Sequence, residues 1–409
     1  MRIVDKLKKN KIVRSVWNEY KKINTFILLK KSTIHLKKNH KSNSSVFFIC
    51  QCEYIWNKSR PLYLELKNQG IDCKLFVIPD KININKEKTI FESEFPQDVI
   101  KYSKNLLKKY KPGLVIYSRP YDILLPKDIQ SKNVVKYTRT AFIPYYYSLE
   151  YDYKLLLGKK FLYNIKYFIS DQKLTKNYFD EVCKKNVDNG LQIGLDLGYP
   201  LFDSINICKK NSQFQNLNNN KINIIWAPRW TNDSKFGSSN FSKYYQDIFN
   251  YFIDNDKFNF VFRPHPLLFP NFIKNNLITV KDKENIIERF EKSTNSIYDV
   301  RGEYIDTIND ADIVILDTSS IILDCFLLNK PMIFCDSKSK EVFTEFTNTV
   351  LEMNYIAKDF SDIKKYVELI SSGNDKKIEC RSIESKNFIK NQLGASKRIA
   401  DYLASVINK

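Results

Sequence analysis

Histidine is scarce in this chain, with three residues among 409, and two of the three lie in the Lys-rich first forty residues. The third, His265, follows the apolar run "FNFVF" and stands within Arg263-Pro264-His265-Pro266. Clustered histidines and CxxC pairs do not occur, so the sequence predicts no tight transition-metal centre. We expect no cofactor, with room only for a Mg²⁺ ion that a substrate brings with it.

Long hydrophobic runs are also missing. The longest falls well short of the roughly 20 apolar residues that a membrane-spanning helix needs, and no signal-peptide pattern opens the chain. Most of the eight cysteines sit inside apolar runs, which is typical of buried free thiols in a reducing compartment. We therefore expect a cytoplasmic protein, either soluble or peripheral on the inner face of the plasma membrane.

Acidic residues are too few to balance the basic ones. The chain has 66 Lys and Arg against 46 Asp and Glu, a formal net charge of 66 − 46 = +20. This excess favours anionic partners: a phosphorylated substrate, a polyanionic polymer, a membrane surface or nucleic acid. No nucleic-acid-binding motif is found, so we do not expect a nucleic acid partner.

Residues 1–44 are predicted to form a basic amphipathic helical extension. Apolar side chains recur there at helical spacing, namely Ile12, Val13, Val16, Trp17, Tyr20, Ile23 and Ile27. Such a helix can lie in an anionic membrane interface. Alternatively, it packs on its own domain and turns its charges to water.

From residue 45 onward, short apolar runs alternate with helix-like segments. This pattern predicts an α/β fold with parallel sheets in two Rossmann-like doubly wound domains. The predicted segments are a first domain at 45–208, a polar linker at 209–221, a second domain at 222–380 and a C-terminal helix at 381–409. A ligand is expected in a cleft at the carboxyl ends of the strands.

Three polar motifs of the second half each follow an apolar strand. They begin near Trp226, at Arg263 and at Asp317. Because the carboxyl ends of parallel strands meet at one edge, we expect the three motifs to lie together. Stability alone does not readily explain three polar clusters on the same edge.

The third motif, Asp317-Thr318-Ser319-Ser320, opens a helix. Backbone N–H groups, hydroxyls and the helix dipole at such a position favour a phosphate. The structural alternative is an ordinary N-cap, in which Ser319 or Ser320 caps the helix and Asp324 helps. We expect the cap and the phosphate site to coexist, and we predict that Asp317, Thr318, Ser319, Ser320 and Asp324 all contact the phosphate-bearing ligand.

The other two motifs supply cations and a titratable ring. The predicted catalytic residues are Arg263, which offers a planar fork for phosphate oxygens, and His265, which can exchange a proton near neutral pH. A histidine that merely closes a turn is the alternative. Arg229 is a second candidate cation, and Thr231 is a further predicted contact with the ligand. The motif also contains two tryptophans that could line a ligand site. The alternative is that the tryptophan at the strand end, Trp226, fills the core.

In the first half, polar residues follow apolar runs in a similar way. Arg119, Tyr121, Arg139 and the tyrosine patch around Tyr145 are candidates for contact with an acceptor substrate. Ordinary packing of Tyr-rich loops is the alternative.

At this point the sequence resembles a known family. The segments "IIWAPRWT", "FRPHP" and "DADIVILDTSSIILDCFLLNKPMIFCD", preceded by "LGYPLFD", are similar to the CDP-glycerol glycerophosphotransferases of teichoic-acid and capsule synthesis. The resemblance covers roughly residues 195–345. It implies a GT-B-type architecture, a CDP-linked polyol donor bound by the second domain, an acceptor on the first, and membrane-associated work on a polymer.

Position by position, the resemblance places His265 near the donor phosphates, while Thr318, Ser319 and Ser320 hold the pyrophosphate. One departure matters: many members carry a histidine in the first domain as a base, and this chain has none between residues 41 and 264. The comparable region reads "YTRTAFIPYYYS". The catalytic base is therefore unassigned.

The resulting hypothesis is a transferase that moves glycerol-phosphate or ribitol-phosphate from a CDP-linked donor to a cell-surface polysaccharide, glycolipid or teichoic-acid-like acceptor, with release of CMP. Two alternatives stay open. One is a GT-B glycosyltransferase that uses a nucleotide sugar in capsule or lipopolysaccharide synthesis. The other is a non-catalytic polyanion-binding protein, which the charge would explain.

Overall fold

A computed structural model describes residues 11–38, 43–78, 90–204, 212–218, 220–231, 239–301, 304–336 and 343–407. The chain divides into two compact units. The first comprises Met1–Ser148, Asp152–Asp203 and Gly394–Lys409, and the second comprises Leu149–Tyr151 and Ser204–Leu393.

The first unit is built on a parallel sheet. Its described strands run in the order β3-β2-β1-β4-β5-β6-β7. The strands are β1 Val46–Cys50, β2 Cys73–Val77, β3 Val99–Lys101, β4 Leu114–Tyr117, β5 Arg139–Phe142, β6 Tyr167–Ile169 and β7 Ile193–Leu195. The α-helices are α1 Lys11–Leu36, α2 Glu53–Asn68, α3 Ile90–Glu94, α4 Leu106–Tyr110, α5 Ser131–Val134, α6 Tyr153–Leu156, α7 Lys159–Leu162, α8 Lys173–Val182 and α9 Lys184–Asp188.

The second unit repeats the plan with a parallel sheet in the order β10-β9-β8-β11-β12-β13, as far as it is described. The strands are β8 Ile222–Ala227, β9 Phe258–Phe262, β10 Ser296–Tyr298, β11 Ile313–Leu316, β12 Met332–Cys335 and β13 Tyr355–Ala357. The α-helices are α10 Phe241–Phe252, α11 Leu268–Lys274, α12 Val280–Lys292, α13 Ile305–Asp310, α14 Ile321–Leu327, α15 Glu345–Glu352, α16 Phe360–Ser371 and α17 Ile378–Gln392, and α18 Ala395–Ile407 belongs to the first unit.

The central strands are almost entirely apolar because parallel sheets are covered on both faces. Every residue of β1 and of β9 is buried. Trp226 on β8 is fully buried and stacks on Phe241 of α10. It therefore fills the core, and the alternative in which it walls a ligand is wrong because no face of it reaches the surface.

Strand order positions the functional edge. In each sheet the order reverses once, between β1 and β4 in the first unit and between β8 and β11 in the second. Ligands of doubly wound sheets bind outside the carboxyl ends of the strands at this switch point. The residues that follow β8 and β11 are Pro228-Arg229 and Asp317-Thr318, two of the three predicted motifs.

The two ends of the described chain pack on the first unit. Thr33 of α1 donates a hydrogen bond to Asn186 Oδ1 over 2.9 Å. Asp203 accepts hydrogen bonds from the backbone N–H groups of Gly394 and Ser396, both over 2.7 Å, and so holds the start of α18. No sequence pattern indicates that residues after 393 return to the first unit. The predicted segment boundaries remain predictions, and residues 209–211 and 219 of the predicted linker lie outside the described residues.

The cysteines that the structure describes are free thiols, and five of those seven are buried. Within the described ranges, no helix combines the length and apolarity needed to cross a bilayer.

Candidate active site of the second unit

Backbone hydrogen bonds join the loops that follow β8, β9 and β11. The N–H of Arg263 donates to Trp226 O over 2.8 Å, and the N–H of His265 donates to Pro228 O over 3.4 Å. The N–H of Arg229 donates to Asp317 Oδ2 over 2.9 Å. The structure thus brings the three predicted motifs together at the switch point of the second sheet.

Asp317 fixes this arrangement from inside. Its carboxylate is buried and also accepts hydrogen bonds from Ser239 Oγ and from the backbone N–H and side-chain amide of Asn240, at 2.9–3.3 Å. Burial raises the pKa of Asp317 to about 6, and the hydrogen bonds oppose that rise. We predicted contact between this carboxylate and the donor. Instead, its oxygens are occupied within the fold, so Asp317 is a positioning residue for the Arg229 loop.

Arg229 lies above Asp317 with its guanidinium between two acceptors. Nη1 donates to Glu150 Oε1 and to Thr318 O, each over 3.3 Å. Its side chain is mostly buried. The Glu150 contact was missed from the sequence, because Glu150 is far along the chain and stands in no motif. The Thr318 contact fixes the distance between the first and third motifs.

His265 is oriented by its own loop. Its Nδ1 accepts a hydrogen bond from the Leu267 N–H over 3.1 Å. Although the side chain as a whole is exposed, loss of hydration around the ring lowers its pKa, and the charges of Arg229 and Arg263 lower it further, to about 4. The ring is thus neutral near pH 7, with its proton on Nε2. It can donate a hydrogen bond there, which is the role of an electrostatic stabiliser rather than of a base.

Trp230 supports the histidine from the side. The centroids of the two rings lie 5.9 Å apart with their planes at 36°. Asn271 Nδ2 donates to Trp230 O over 3.1 Å, which ties the loop to α11. Trp230, and not the buried Trp226, is therefore the tryptophan next to the candidate site.

Arg263 is committed to a different partner. Its Nη1 pairs with buried Asp299 over 2.8 Å, and its Nη2 donates to Arg301 O over 2.8 Å. The guanidinium also lies over the Tyr304 ring, 4.6 Å from its centroid. We predicted a direct catalytic role for Arg263. The geometry instead makes it an anchor of the loop after β9, since both terminal nitrogens serve the fold.

Asp299 was not singled out from the sequence, although it follows β10 as the other motifs follow their strands. It is fully buried and accepts hydrogen bonds from Gln213 and Arg301 as well as from Arg263. Burial alone would raise its pKa, but the paired charges and hydrogen bonds hold the pKa below its usual range. Its proximity to Arg263 could have been inferred from the parallel register of β9 and β10.

The third motif caps α14. Ser320 is the N-cap residue, but its side chain makes no capping hydrogen bond. Instead, Ser319 Oγ accepts a hydrogen bond from the Ile321 N–H over 3.1 Å, so a serine hydroxyl does satisfy one N–H group of the first turn. Ser319 is half-buried and Ser320 is exposed, whereas Thr318 is buried. The two serine hydroxyls are therefore the side chains of this motif that a donor can reach.

Two other predicted donor contacts lie inside the unit. Thr231 is buried, and its carbonyl accepts a hydrogen bond from the Ser239 N–H over 2.7 Å. Asp324 is buried and accepts a hydrogen bond from Tyr304 Oη over 2.8 Å. Both residues stabilise the walls of the site, so the predicted direct contact is not supported.

The first unit places its candidate residues at two different edges. Arg119 and Tyr121 follow β4 and Tyr145 follows β5, so these three lie at the carboxyl edge. Arg139 is the first residue of β5 and donates to Val406 O over 2.7 Å. The prediction that groups Arg139 with the other three is wrong, because the start of a parallel strand lies at the opposite edge of the sheet.

Among the residues that the structure describes, no group of three or more His, Cys, Asp or Glu side chains is arranged to hold a metal ion. The candidate site instead combines one guanidinium, a neutral imidazole and serine hydroxyls. Such a set suits the oxygens of a phosphate or diphosphate.

A doubly wound sheet binds its ligand at the switch point, and the side chains found there suit a ligand that carries phosphate groups. Residues 154–405 match the CDP-glycerol:poly(glycerophosphate) glycerophosphotransferase family. The chain belongs to this family and is a CDP-glycerol glycerophosphotransferase-like transferase. The resemblance seen in the sequence is thereby confirmed.

Solved structures support the same fold. The wall teichoic acid polymerase TagF is 14% identical, with 97% of each chain covered and a TM-score of 0.58. The S. aureus MnaA–UDP structure is 10% identical, covering 89% of this chain and 97% of that one, with a TM-score of 0.60. A UDP-N-acetylglucosamine 2-epimerase is 15% identical, covering 88% and 95%, with a TM-score of 0.59. The predicted GT-B-type α/β fold class is confirmed. A sequence search of curated proteins found no match.

Proposed function

We propose that the protein transfers glycerol-phosphate, or the related ribitol-phosphate, from a CDP-linked donor to a cell-surface polysaccharide or teichoic-acid-like acceptor. An acceptor hydroxyl oxygen forms a bond to the β-phosphorus of the donor. The bond from that phosphorus to the bridging oxygen breaks, CMP leaves, and the hydroxyl proton is released. Family membership supports the donor class, and a TagF variant soaked with CDPG has the same fold.

The observation that carries the proposal is the junction of Arg229, His265 and Ser319 on three neighbouring strand ends. Charge builds up on the phosphate oxygens as CMP leaves, and preformed donors aimed at those oxygens lower the barrier. His265 Nε2–H supplies one such donor, the serine hydroxyls supply others, and Arg229 supplies positive charge. A pKa near 4 makes His265 a poor proton acceptor at neutral pH, which favours the hydrogen-bond donor role over that of a base.

We also propose that the protein works as a peripheral protein on the inner face of the plasma membrane. One face of α1 packs on the first unit through Ser32 and Leu36, which are buried. Other apolar side chains of the same helix are exposed, namely Tyr20, Ile23, Phe26, Ile27 and Ile34. Exposed lysines accompany them, including Lys30 and Lys31. Apolar side chains flanked by lysines favour an anionic membrane surface.

The reaction is tested with purified protein, a pyrophosphate-linked glycolipid acceptor, and CDP-glycerol, CDP-ribitol and UDP-sugars as separate donors. We expect CMP release with a CDP-polyol and a new phosphodiester signal in the ³¹P NMR spectrum. A glycosidic product from a UDP-sugar would instead establish the glycosyltransferase alternative. Parallel reactions with EDTA test for a Mg²⁺ ion that enters with the donor.

A further inference from the structure

A cluster of tyrosines marks the carboxyl edge of the first sheet. Tyr121, after β4, and Tyr145, after β5, have their hydroxyl oxygens 3.4 Å apart. The Tyr145 and Tyr146 rings pack edge to face with centroids 5.0 Å apart. All three side chains are partly exposed. We call these three residues the tyrosine cluster.

The loop that carries Tyr145 and Tyr146 is held at both ends by hydrogen bonds. Tyr199 Oη donates to Pro144 O over 2.9 Å. At the other end, the Ser148 N–H donates to Asp171 Oδ2 and Gln172 Nε2 donates to Ser148 O, each over 2.6 Å. The tyrosines are therefore fixed in place before any ligand arrives, as a binding surface requires.

One hydroxyl group of the cluster is unfavourable for the stability of the fold. Within the described residues, the hydroxyl of Tyr146 is enclosed and has no hydrogen-bond partner. An unsatisfied buried hydroxyl typically costs about 1–3 kcal/mol, whereas phenylalanine would avoid this cost. A hydroxyl in this position is available to a water molecule or a ligand group that reaches it.

Cations do not outnumber carboxylates beside the cluster. Arg119 lowers and Asp152 raises the pKa of Tyr121, and buried Asp171, which also accepts the Ser148 N–H, raises the pKa of Tyr146 together with Asp152. A phosphodiester polymer needs several cations along its path. Aromatic rings with one nearby cation and two nearby carboxylates instead suit a neutral ring with many hydroxyls. The C–H faces of a sugar pack on aromatic rings, and its hydroxyls bond to carboxylate, guanidinium and phenol groups.

We infer that the tyrosine cluster, with Arg119 and Asp152, binds a neutral sugar at the accepting end of the substrate rather than a glycerol-phosphate unit. This inference rests on the proposed transfer reaction and narrows it. The enzyme would then place a polyol phosphate on a saccharide hydroxyl. Extension of a pure poly(glycerol phosphate) chain would not be its main reaction.

Binding is measured directly by saturation-transfer difference NMR on the full-length protein. The probes are a panel of neutral octyl glycosides and a synthetic glycerol-phosphate trimer. We expect saturation transfer to ring protons of at least one glycoside, and little to the trimer. Transfer to the trimer alone, or to neither probe, would overturn the inference regardless of turnover. CMP release from CDP-glycerol, assayed separately, decides the proposed reaction itself.

Substitutions test whether the glycoside binds at the tyrosine cluster. Tyr145→Leu removes the ring and should weaken glycoside binding about tenfold, while Tyr145→Phe keeps the ring and should retain most of it. Tyr110→Leu is the matched control, because Tyr110 is exposed on α4 and precedes β4 at the other edge of the sheet. Equal glycoside affinity in Tyr145→Leu and Tyr110→Leu would contradict the assignment. If Tyr145→Leu does not fold, Asp152→Asn provides the same comparison.

Discussion

The backbone N–H of Leu267 donates a hydrogen bond to Nδ1 of His265 over 3.1 Å. This contact fixes the ring and leaves the proton of the neutral form on Nε2. The sequence left two roles open for the histidine, a proton carrier and a hydrogen-bond donor. The contact and the lowered pKa both favour the second role.

Substitution at His265 separates these roles. His265→Ala should slow transfer by about 10²–10³, as is usual for loss of one donor to a developing oxyanion. His265→Gln should recover part of this loss because its amide nitrogen reaches the position of Nε2, whereas the shorter His265→Asn should not. Single-turnover rates with CDP-glycerol measure the effect. Equal rates for the Gln and Asn variants would argue against a donor at Nε2.

The pH dependence gives an independent check. The pKa of His265 is lowered to about 4, so the ring should stay neutral from pH 8 to pH 5. An unfolded histidine titrates near pH 6.5, so this residue costs stability as the pH falls from about 6.5 towards 4. A ¹H NMR titration of the ring, assigned by comparison with His265→Gln, should show no midpoint above pH 5. A midpoint near 6.5 would show that the ring is freely solvated.

Asp317 should matter for stability as well as for activity. Asp317→Asn would turn an amide toward the N–H groups of Arg229 and Asn240, and one unsatisfied buried group costs about 1–3 kcal/mol. Urea unfolding should show a loss of this size. Asp310→Asn, on the exposed end of α13, is the control and should unfold like the wild type. A stable Asp317→Asn protein would mean that the buried carboxylate is not what holds the loop.

The ion pair of Arg263 and Asp299 should show coupling. Arg263→Met leaves a buried carboxylate with less compensation, and loss of one partner of a buried pair costs roughly 3 kcal/mol. A double-mutant cycle with Asp299→Asn should give a coupling energy of about 0.5–3 kcal/mol in unfolding experiments. Strict additivity of the two substitutions would contradict the interpretation that the ion pair with Asp299 anchors Arg263.

Membrane attachment through α1 is tested by cosedimentation with vesicles. The protein should bind vesicles that contain phosphatidylglycerol, and much less those of phosphatidylcholine alone, because the lysines require anionic lipid. Ile23→Ser combined with Phe26→Ser should reduce binding. Ile123→Ser removes an exposed isoleucine elsewhere on the first unit and should not. Equal sedimentation of the two proteins would place the membrane contact outside α1.

Strand positions and the grouping of three motifs were accessible from the sequence because both follow from one-dimensional patterns. Apolar runs gave the strands, and the shared edge of a parallel sheet gave the meeting of Arg229, His265 and Ser319. The orientation of side chains was not accessible. Asp317 and Arg263 stand in polar motifs like the others, yet hydrogen bonds to residues distant in sequence turn them inward.

The contacts of Glu150 and Asn240 with the candidate site were also not predictable from the sequence. Each contacts the candidate site from a segment with no motif, at a sequence separation of more than 70 residues. Arg139 was misplaced for a simpler reason. The apolar run before Arg139 resembles a strand that Arg139 would follow, but that run lies at the end of helix α5, Ser131–Val134, and Arg139 begins β5 instead.

The central claim is that the switch-point edge of the second sheet binds the diphosphate of the donor, with His265 as one of its ligands. Isothermal titration with CDP and with cytidine tests it most directly. We predict that the wild type binds CDP at least about tenfold more tightly than cytidine, a difference of about 1.4 kcal/mol, and that His265→Ala reduces this difference. Equal affinity for CDP and cytidine, or an unchanged difference in His265→Ala, would contradict the account.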